Sequence, residues 1–188
     1  MVLGSHNSWS YVRAKKWWMR LLAFTAKCQN TDIKEQYEKH NVRCFDLRVR
    51  FRNGKVTIAH GLIEYDYTLE DLHSDFVYLN HKGDVFVRVL HEERDESGEA
   101  YKEQFLEFCS RLEKKYENIK FWCGRNLYNW NVDYEFGHEP SCDEKYASVC
   151  KPRIIDDWIP WIYAKFNNKK IKSKGTDKDI LLIDFVDL

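Results

Sequence analysis

The 188-residue chain has no Cys-x-x-Cys pair, only three prolines, no run of 18 residues free of charge, and no surplus of either sign, with 30 Lys and Arg against 30 Asp and Glu. Each absence excludes something. Without closely spaced thiols there is no zinc-finger or zinc-ribbon pattern. Without a long uncharged stretch no helix is expected to span a membrane. Zero formal charge removes the excess of cations with which a sequence-independent nucleic-acid binder displaces counterions, so nucleic acid is not an expected partner. Scarce proline together with 15% aromatic residues excludes collagen-like and low-complexity chains. The start Met1-Val-Leu-Gly-Ser-His6 lacks the basic head and apolar core of a signal peptide. The chain therefore reads as cytoplasmic as written, and as secreted only if such a peptide once preceded it.

Hydrophobic residues make up 44% of the chain and charged residues 32%. At this length that suffices to bury roughly 70% of the unfolded surface, as one domain over residues 1–188 and as an expected monomer. Of the six cysteines, Cys28, Cys44, Cys109 and Cys123 sit in apolar stretches and read as small core hydrophobes, while the Cys142 to Cys150 spacing permits one disulfide.

Strand-like and helix-like segments alternate, as in βα units around a parallel sheet. Val2 and Leu3 begin the first strand. Asp32 with Glu35 opens a short helix, and Val42 to Phe51 is a strand that returns through Asn53-Gly54 into Val56 to Ala59. Thr68-Leu-Glu-Asp71 opens a helix that presents Leu69, Leu72, Phe76 and Leu79 on one face and closes at Gly83, ahead of the strand Val85 to Leu90. Tyr101, Phe105, Phe108, Leu112 and Tyr116 recur at helical spacing before a short strand from Ile119 to Cys123. Residues 125 to 146 read as a long loop. Ile155, Trp158, Ile159, Ile162 and Phe166 form a further helical face started or kinked by Pro160; Lys169 to Lys178 reads as surface loop and Ile180 to Val186 as the last strand. Five or six strands are fewer than the eight of a complete barrel, and the chain falls short of the roughly 200 residues at which such barrels begin. The expectation is an α/β, TIM-barrel-like fold with a short or distorted (β/α) barrel.

In such folds functional groups gather at the carboxyl ends of strands. Titratable residues recur there: His6-Asn7, Asp46 and Arg48, His60-Gly61, His91-Glu92-Glu93, Arg125 and Asp184. Two histidines and an arginine are what phosphodiester cleavage needs when no metal takes part. One imidazole accepts a proton from the attacking hydroxyl, the other gives one to the leaving oxygen, and a planar guanidinium holds the phosphate.

Leu3-Gly-Ser-His-Asn-Ser8, Gln29-Asn-Thr-Asp-Ile33, Arg43-Cys-Phe-Asp-Leu-Arg48 and Ala59-His-Gly61 resemble, in order and spacing, the X domain of phosphatidylinositol-specific phospholipase C, particularly the small bacterial enzymes. The match covers about half the chain and thins out after residue 91. The resemblance implies a barrel of the PLC-like phosphodiesterase type and cleavage of a phosphodiester lipid, most simply phosphatidylinositol, through a cyclic phosphate. His6 would be the general base, His60 the general acid, Arg48 the phosphate ligand, Asp46 an orienting group and Asp184 the acid that holds the base histidine. Arg88 or His91 would match the family's basic residue on the fourth strand, Arg125 a substrate-binding arginine, and Asn7 would lie against the substrate. Arg48 stands where calcium-dependent relatives have a metal-binding acid, so neither metal nor other cofactor is expected. One departure concerns support: Asn7 replaces the aspartate of the bacterial enzymes, removing the carboxylate that steadies their acid and arginine. The other is that no inositol-recognising acid can be placed in residues 125–146.

Two other classes fit the sequence less well: a metal-dependent glycerophosphodiesterase or sphingomyelinase D-like enzyme, whose acidic magnesium site Arg48 would occupy badly, and a catalytically silent head-group-binding module. Finally, Arg13, Lys15, Lys16 and Arg20 surround Trp17, Trp18 and Met19, with Leu21, Leu22 and Phe24 following, a mixture suited to a peripheral membrane contact. Of the adjacent Trp17 and Trp18, one is expected to be exposed and the other covered.

Overall fold

The computed structural model describes residues 1–92, 100–126, 132–137, 142–145, 159–175 and 177–188, with only the backbone of 125, 126, 132–137 and 142–145. Its strands are β1 (Val2–Ser5), β2 (Cys44–Arg52), β3 (Lys55–His60), β4 (Ile63–Glu64), β5 (Val85–His91), β6 (Ile119–Asn126), β7 (Val132–Gly137), β8 (Cys142–Lys145) and β9 (Ile180–Ile183). The helices are α1 (Ile33–His40), α2 (Leu69–Lys82), α3 (Lys102–Lys115) and α4 (Pro160–Lys174). The main sheet runs β7-β6-β5-β2-β1-β9-β8, parallel throughout except for β7. Among the described residues β7 and β8 do not pair with each other, so the sheet is open there.

Local chemistry explains most boundaries. Asp32 accepts the Glu35 amide at 2.7 Å to cap α1. Thr68 and Asp71 form a reciprocal capping box on α2, and Gly83 ends it. Asn53 and Gly54 both take positive φ, 51° and 70°, which gives the tight β2–β3 turn its hand. Pro160 starts α4, where its missing N–H costs nothing.

The alternation of side chains along β2 divides the molecule. Phe45, Leu47, Val49 and Phe51 join the large cluster packed against the helices, with Val85, Val87, Val89, Phe121, Leu181 and Ile183 from neighbouring strands. Cys44 belongs to a small cluster on the other, interior face, with Trp122, Ile180 and Leu182. Gly4 lies in that interior, where a Cβ would run into Leu182 Cδ2 and crowd Cys44.

Four expectations need correcting. The 125–146 stretch carries two strands, β7 and β8, so with the β3–β4 return the strands among the described residues number nine. Lys169–Lys174 continues α4. The buried face of α4 is Pro160, Tyr163, Ala164 and Asn168, while Phe166 is exposed; Ile155 and Trp158 lie outside the described residues. On α2 Leu69 is exposed in the first turn, and Leu72, Phe76 and Leu79 make the packed stripe. Cys28, Cys44, Cys109 and Cys123 are free and buried as expected; the side chain of Cys142 and all of Cys150 lie outside the described residues.

Candidate active site

The two-residue period of the strands decides which groups meet. Val2, Gly4 and His6 follow one parity; Cys44, Asp46 and Arg48 another; Phe86 and Arg88, and Ile180, Leu182 and Asp184, complete the set. In register, Gly4 lies beside Cys44 and Leu182, and Asp46 beside Arg88. The polar members therefore follow the small interior cluster at the carboxyl ends of the strands. Two chain reversals aim them. Asn7 and Phe185, each immediately after a site residue, take left-handed conformations with φ of 43° and 48°. The first is tolerable for asparagine, whereas the second is strained for a bulky phenylalanine.

His6 Nδ1 meets Asp184 Oδ1 at 2.8 Å, and its Nε2 faces Asp46 Oδ2 at 3.8 Å. Gln29 laces the two chain ends together, donating to the carbonyls of His6 and Ile183 and accepting from the Val186 amide. His60 stands edge to face with His6, ring centroids 5.5 Å apart. Its Nδ1 lies 3.1 Å from the Ala26 carbonyl, which leaves Nε2 available for chemistry. Asp46 is the hub of the basic side: it receives the Asn7 amide at 2.9 Å, Arg48 Nε at 2.9 Å and Arg88 Nε at 3.0 Å. Of these six ionic and imidazole groups, only His60 is partly open to solvent. It lines a cavity of about 450 Å³ with Ala26, Leu22, Phe24, Leu62 and Ile63.

Burial pushes the His6 imidazole well below its ordinary value, and the Arg48 guanidinium pushes it further, against the pull of Asp46. Burial also lowers His60, but the Glu92 carboxylate and the Ala26 carbonyl oppose it. The two rings thus sit in unlike environments, one that keeps a base neutral and one that favours a proton more. Burial by itself would raise the Asp46 carboxyl; Arg48, Arg88 and His6 outweigh it and hold the group far below the usual carboxylate range. Three charges out of water are expensive, and only their mutual pairing makes the cluster tolerable.

His6, His60, Arg48, Asp46, Asp184 and Arg88 are therefore brought together. His91 is not. It follows the parity of Val87 and Val89, stacks on Phe105 at 5.3 Å and meets Phe51 edge-on, on the helix-covered face of the sheet. Asn7 is fully buried, its Nδ2 directed to the Ala26 carbonyl and the Tyr65 hydroxyl, so it supports the site rather than facing a ligand. Arg125 stands level with His91 in the β5–β6 register, and its side chain lies outside the described residues. Two members of the site had no role in it from the sequence: Cys28 read as core, and Glu92 read only as a titratable group at a strand end. Cys28 places its Sγ 4.0 Å from His60 Nδ1; burial and then Asp184 push its thiol up. Glu92, one residue past β5, accepts the Gly61 amide at 3.0 Å and approaches Arg48 Nη1 at 3.5 Å. The cue for Glu92 was its position beside a strand end.

No family model matches the chain, and no curated protein does. Among solved structures, the phosphatidylinositol-specific phospholipase C from Listeria monocytogenes superposes with a TM-score of 0.62 over 98% of this chain and 87% of that one, at 16% identity. The fold is phospholipase C-like. A phospholipase C-like fold accounts for a mixed α/β chain with its polar groups at one end of a parallel sheet, and the low identity makes the site geometry the stronger guide to chemistry.

The approach to the site is apolar. Residues 17–21 and 23–25 form 3₁₀ turns held to β4 through Lys15, Asp66 and an Ala14–Tyr65 bridge. Trp17 is 74% and Trp18 48% exposed, so both indoles face solvent, against the expectation that one would be covered. A helix would have put neighbours on different faces; 3₁₀ turns with only Met19 buried do not. Leu21, Leu22, Phe24 and Leu62 are exposed as well.

Proposed function

We propose that the protein is a phosphodiesterase that cleaves a phosphodiester lipid, with phosphatidylinositol the first candidate, by imidazole acid–base catalysis. The observation that carries this reading is the meeting of two imidazoles, His6 anchored by Asp184 at 2.8 Å and His60 with its ring 5.5 Å away, beside the Asp46–Arg48 pair. With its Nδ1 proton directed at Asp184, His6 offers Nε2 as the base for a neighbouring hydroxyl of the head group. That oxygen attacks phosphorus while the bond to the glycerol oxygen breaks, and His60 Nε2 supplies the leaving oxygen with a proton. The products are a cyclic phosphate and a diacylglycerol. Arg48 and Arg88 offset the charge that develops on the phosphoryl oxygens, and a bound phosphate anion raises both imidazoles toward the values the reaction requires. A guanidinium fixed by Asp46 fills the place of a cation, which favours a metal-free reaction.

The same reading takes residues 1–188 as one domain whose sheet is a distorted barrel, and Trp17, Trp18 and their apolar neighbours as the part that meets lipid. The test is turnover of purified protein on a panel of phosphodiester lipids in EDTA. Release of a cyclic inositol phosphate supports the assignment, and failure on every inositol phosphodiester defeats it.

A further inference from the structure

The side chains around His6 have a property that acid–base chemistry does not use. A nitrogen of His6, Sγ of Cys28 and a carboxylate oxygen of Asp184 all lie within 4.8 Å of one another, all buried. His60 Nδ1 is 4.0 Å from the same sulfur. No short sequence motif signals this set, because its members come from the turn after β1, the stretch before α1 and the end of β9.

We infer that His6, Cys28 and Asp184 form an inhibitory site for zinc or a similarly thiophilic divalent cation, with the fourth position open toward His60 and the cavity beside it. This rests on the proposed acid–base role of His6. Three arguments support it. Nitrogen, thiolate and carboxylate together form a donor set that suits zinc and cobalt and not calcium or magnesium, which prefer all-oxygen cages. A thiolate and a carboxylate cancel the two positive charges, so a neutral centre is buried beside Arg48, with the thiol proton released to solvent. Donors that already lie within 4.8 Å of one another need only draw together to reach ligand distances of about 2.0 Å to nitrogen and oxygen and about 2.3 Å to sulfur.

Inhibition follows from the tautomer. Bound to metal through Nδ1 the imidazole carries its one proton on Nε2, and bound through Nε2 it gives that lone pair to the metal, so either way the lone pair needed for catalysis is gone. Zinc would thus act on this protein in the opposite sense to a cofactor, and a chelator would restore activity.

Cobalt(II) titration of the full, EDTA-stripped protein reads the site without any assay of turnover. One equivalent should produce a thiolate-to-cobalt charge-transfer band together with the intense visible bands of tetrahedral cobalt, displaced by zinc. The charge-transfer band should vanish in Cys28→Ser and in Cys28→Ala, both checked for native circular dichroism, and persist in Cys109→Ser. No band in the wild-type protein, or an unchanged band in both folded Cys28 variants, overturns the site. If activity on a phosphodiester is found, the zinc concentration for half-inhibition should rise at least tenfold in Cys28→Ser; an unchanged value overturns the regulatory role. A cobalt band in a protein inactive on every phosphodiester would keep the metal site and discard the proposed reaction.

Discussion

Glu92 and Arg48 form a buried pair, Oε2 to Nη1 at 3.5 Å, while the other Glu92 oxygen accepts the Gly61 amide next to His60. One carboxylate therefore reaches both Arg48, the proposed phosphate ligand, and the turn after His60, the proposed acid. The sequence resemblance implies a supporting aspartate after the first histidine, where this chain has Asn7; Glu92, just past the end of β5, brings a carboxylate to the same two neighbours. Glu92→Gln should lower kcat by about 10- to 100-fold and shift the limb of the pH–rate profile that reports His60 to lower pH, because a charge favouring its protonated form is removed. Unchanged rate and profile would make the pair structural.

His6→Ala and His60→Ala should each reduce turnover by about 10²-fold or more with the fold retained. Asp184→Asn should approach the His6 loss, since an amide in that place no longer favours the productive tautomer. Arg48→Lys should be severely impaired, because an ammonium cannot both hold Asp46 and present a planar fork to phosphate. Full activity in any of these, measured on a water-soluble inositol phosphodiester, removes that residue from the mechanism.

Stability should fall on mild acidification. The folded-state values of His6 and His60 are depressed, so between those values and the unfolded value of about 6.5 the unfolded chain binds more protons, and unfolding is favoured as pH drops. The slope is up to about 1.4 kcal/mol per pH unit for each histidine in that window. Asp46 does not add to it, because its folded value lies below its unfolded one and its contribution is lost only in much stronger acid. Denaturant melts of the EDTA-treated protein between pH 7.5 and 5, with His6→Gln for comparison, should show a shallower slope in the variant. Equal slopes would mean that His6 is not buried in its neutral form.

The proposed membrane contact can be tested apart from the chemistry. Trp17→Ala with Trp18→Ala should weaken sedimentation with phosphatidylinositol vesicles while leaving hydrolysis of a short, soluble substrate nearly unchanged. Equal loss on both substrates would make the segment part of the catalytic machinery or the fold.

What could be read from the sequence was set by periodicity. His6 and Asp184 follow the ends of β1 and β9, and Asp46 and Arg48 lie within β2, all at positions two apart from the next residue on the interior parity, and such alternation survives in any parallel sheet. His91 breaks the pattern, falling on the parity of Val87 and Val89, and counting in twos from Arg88 separates the candidates. Glu92 shares the parity of Arg88 and Leu90, one residue past β5, so the same count in twos leads to it. The β7 segment Val132-Asp-Tyr-Glu-Phe-Gly137 does alternate apolar and polar residues, but β8, Cys142-Asp-Glu-Lys145, has no apolar pattern and pairs through its backbone. Trp17 and Trp18 misled because adjacency argues for opposite faces only in a regular element, and this one consists of 3₁₀ turns. Cys28 looked like core filling, and only the meeting of β1, β9 and the stretch before α1 puts it beside two histidines.

The central claim is that His6 and His60 form an acid–base pair for phosphodiester cleavage without metal. Phosphorus NMR of phosphatidylinositol incubated with the protein in EDTA tests it most directly. The account predicts the signal of an inositol cyclic phosphate, growing with wild-type protein and at least about 10²-fold slower with His6→Ala. No cyclic product, or a product that forms only after calcium or magnesium is restored, would contradict it.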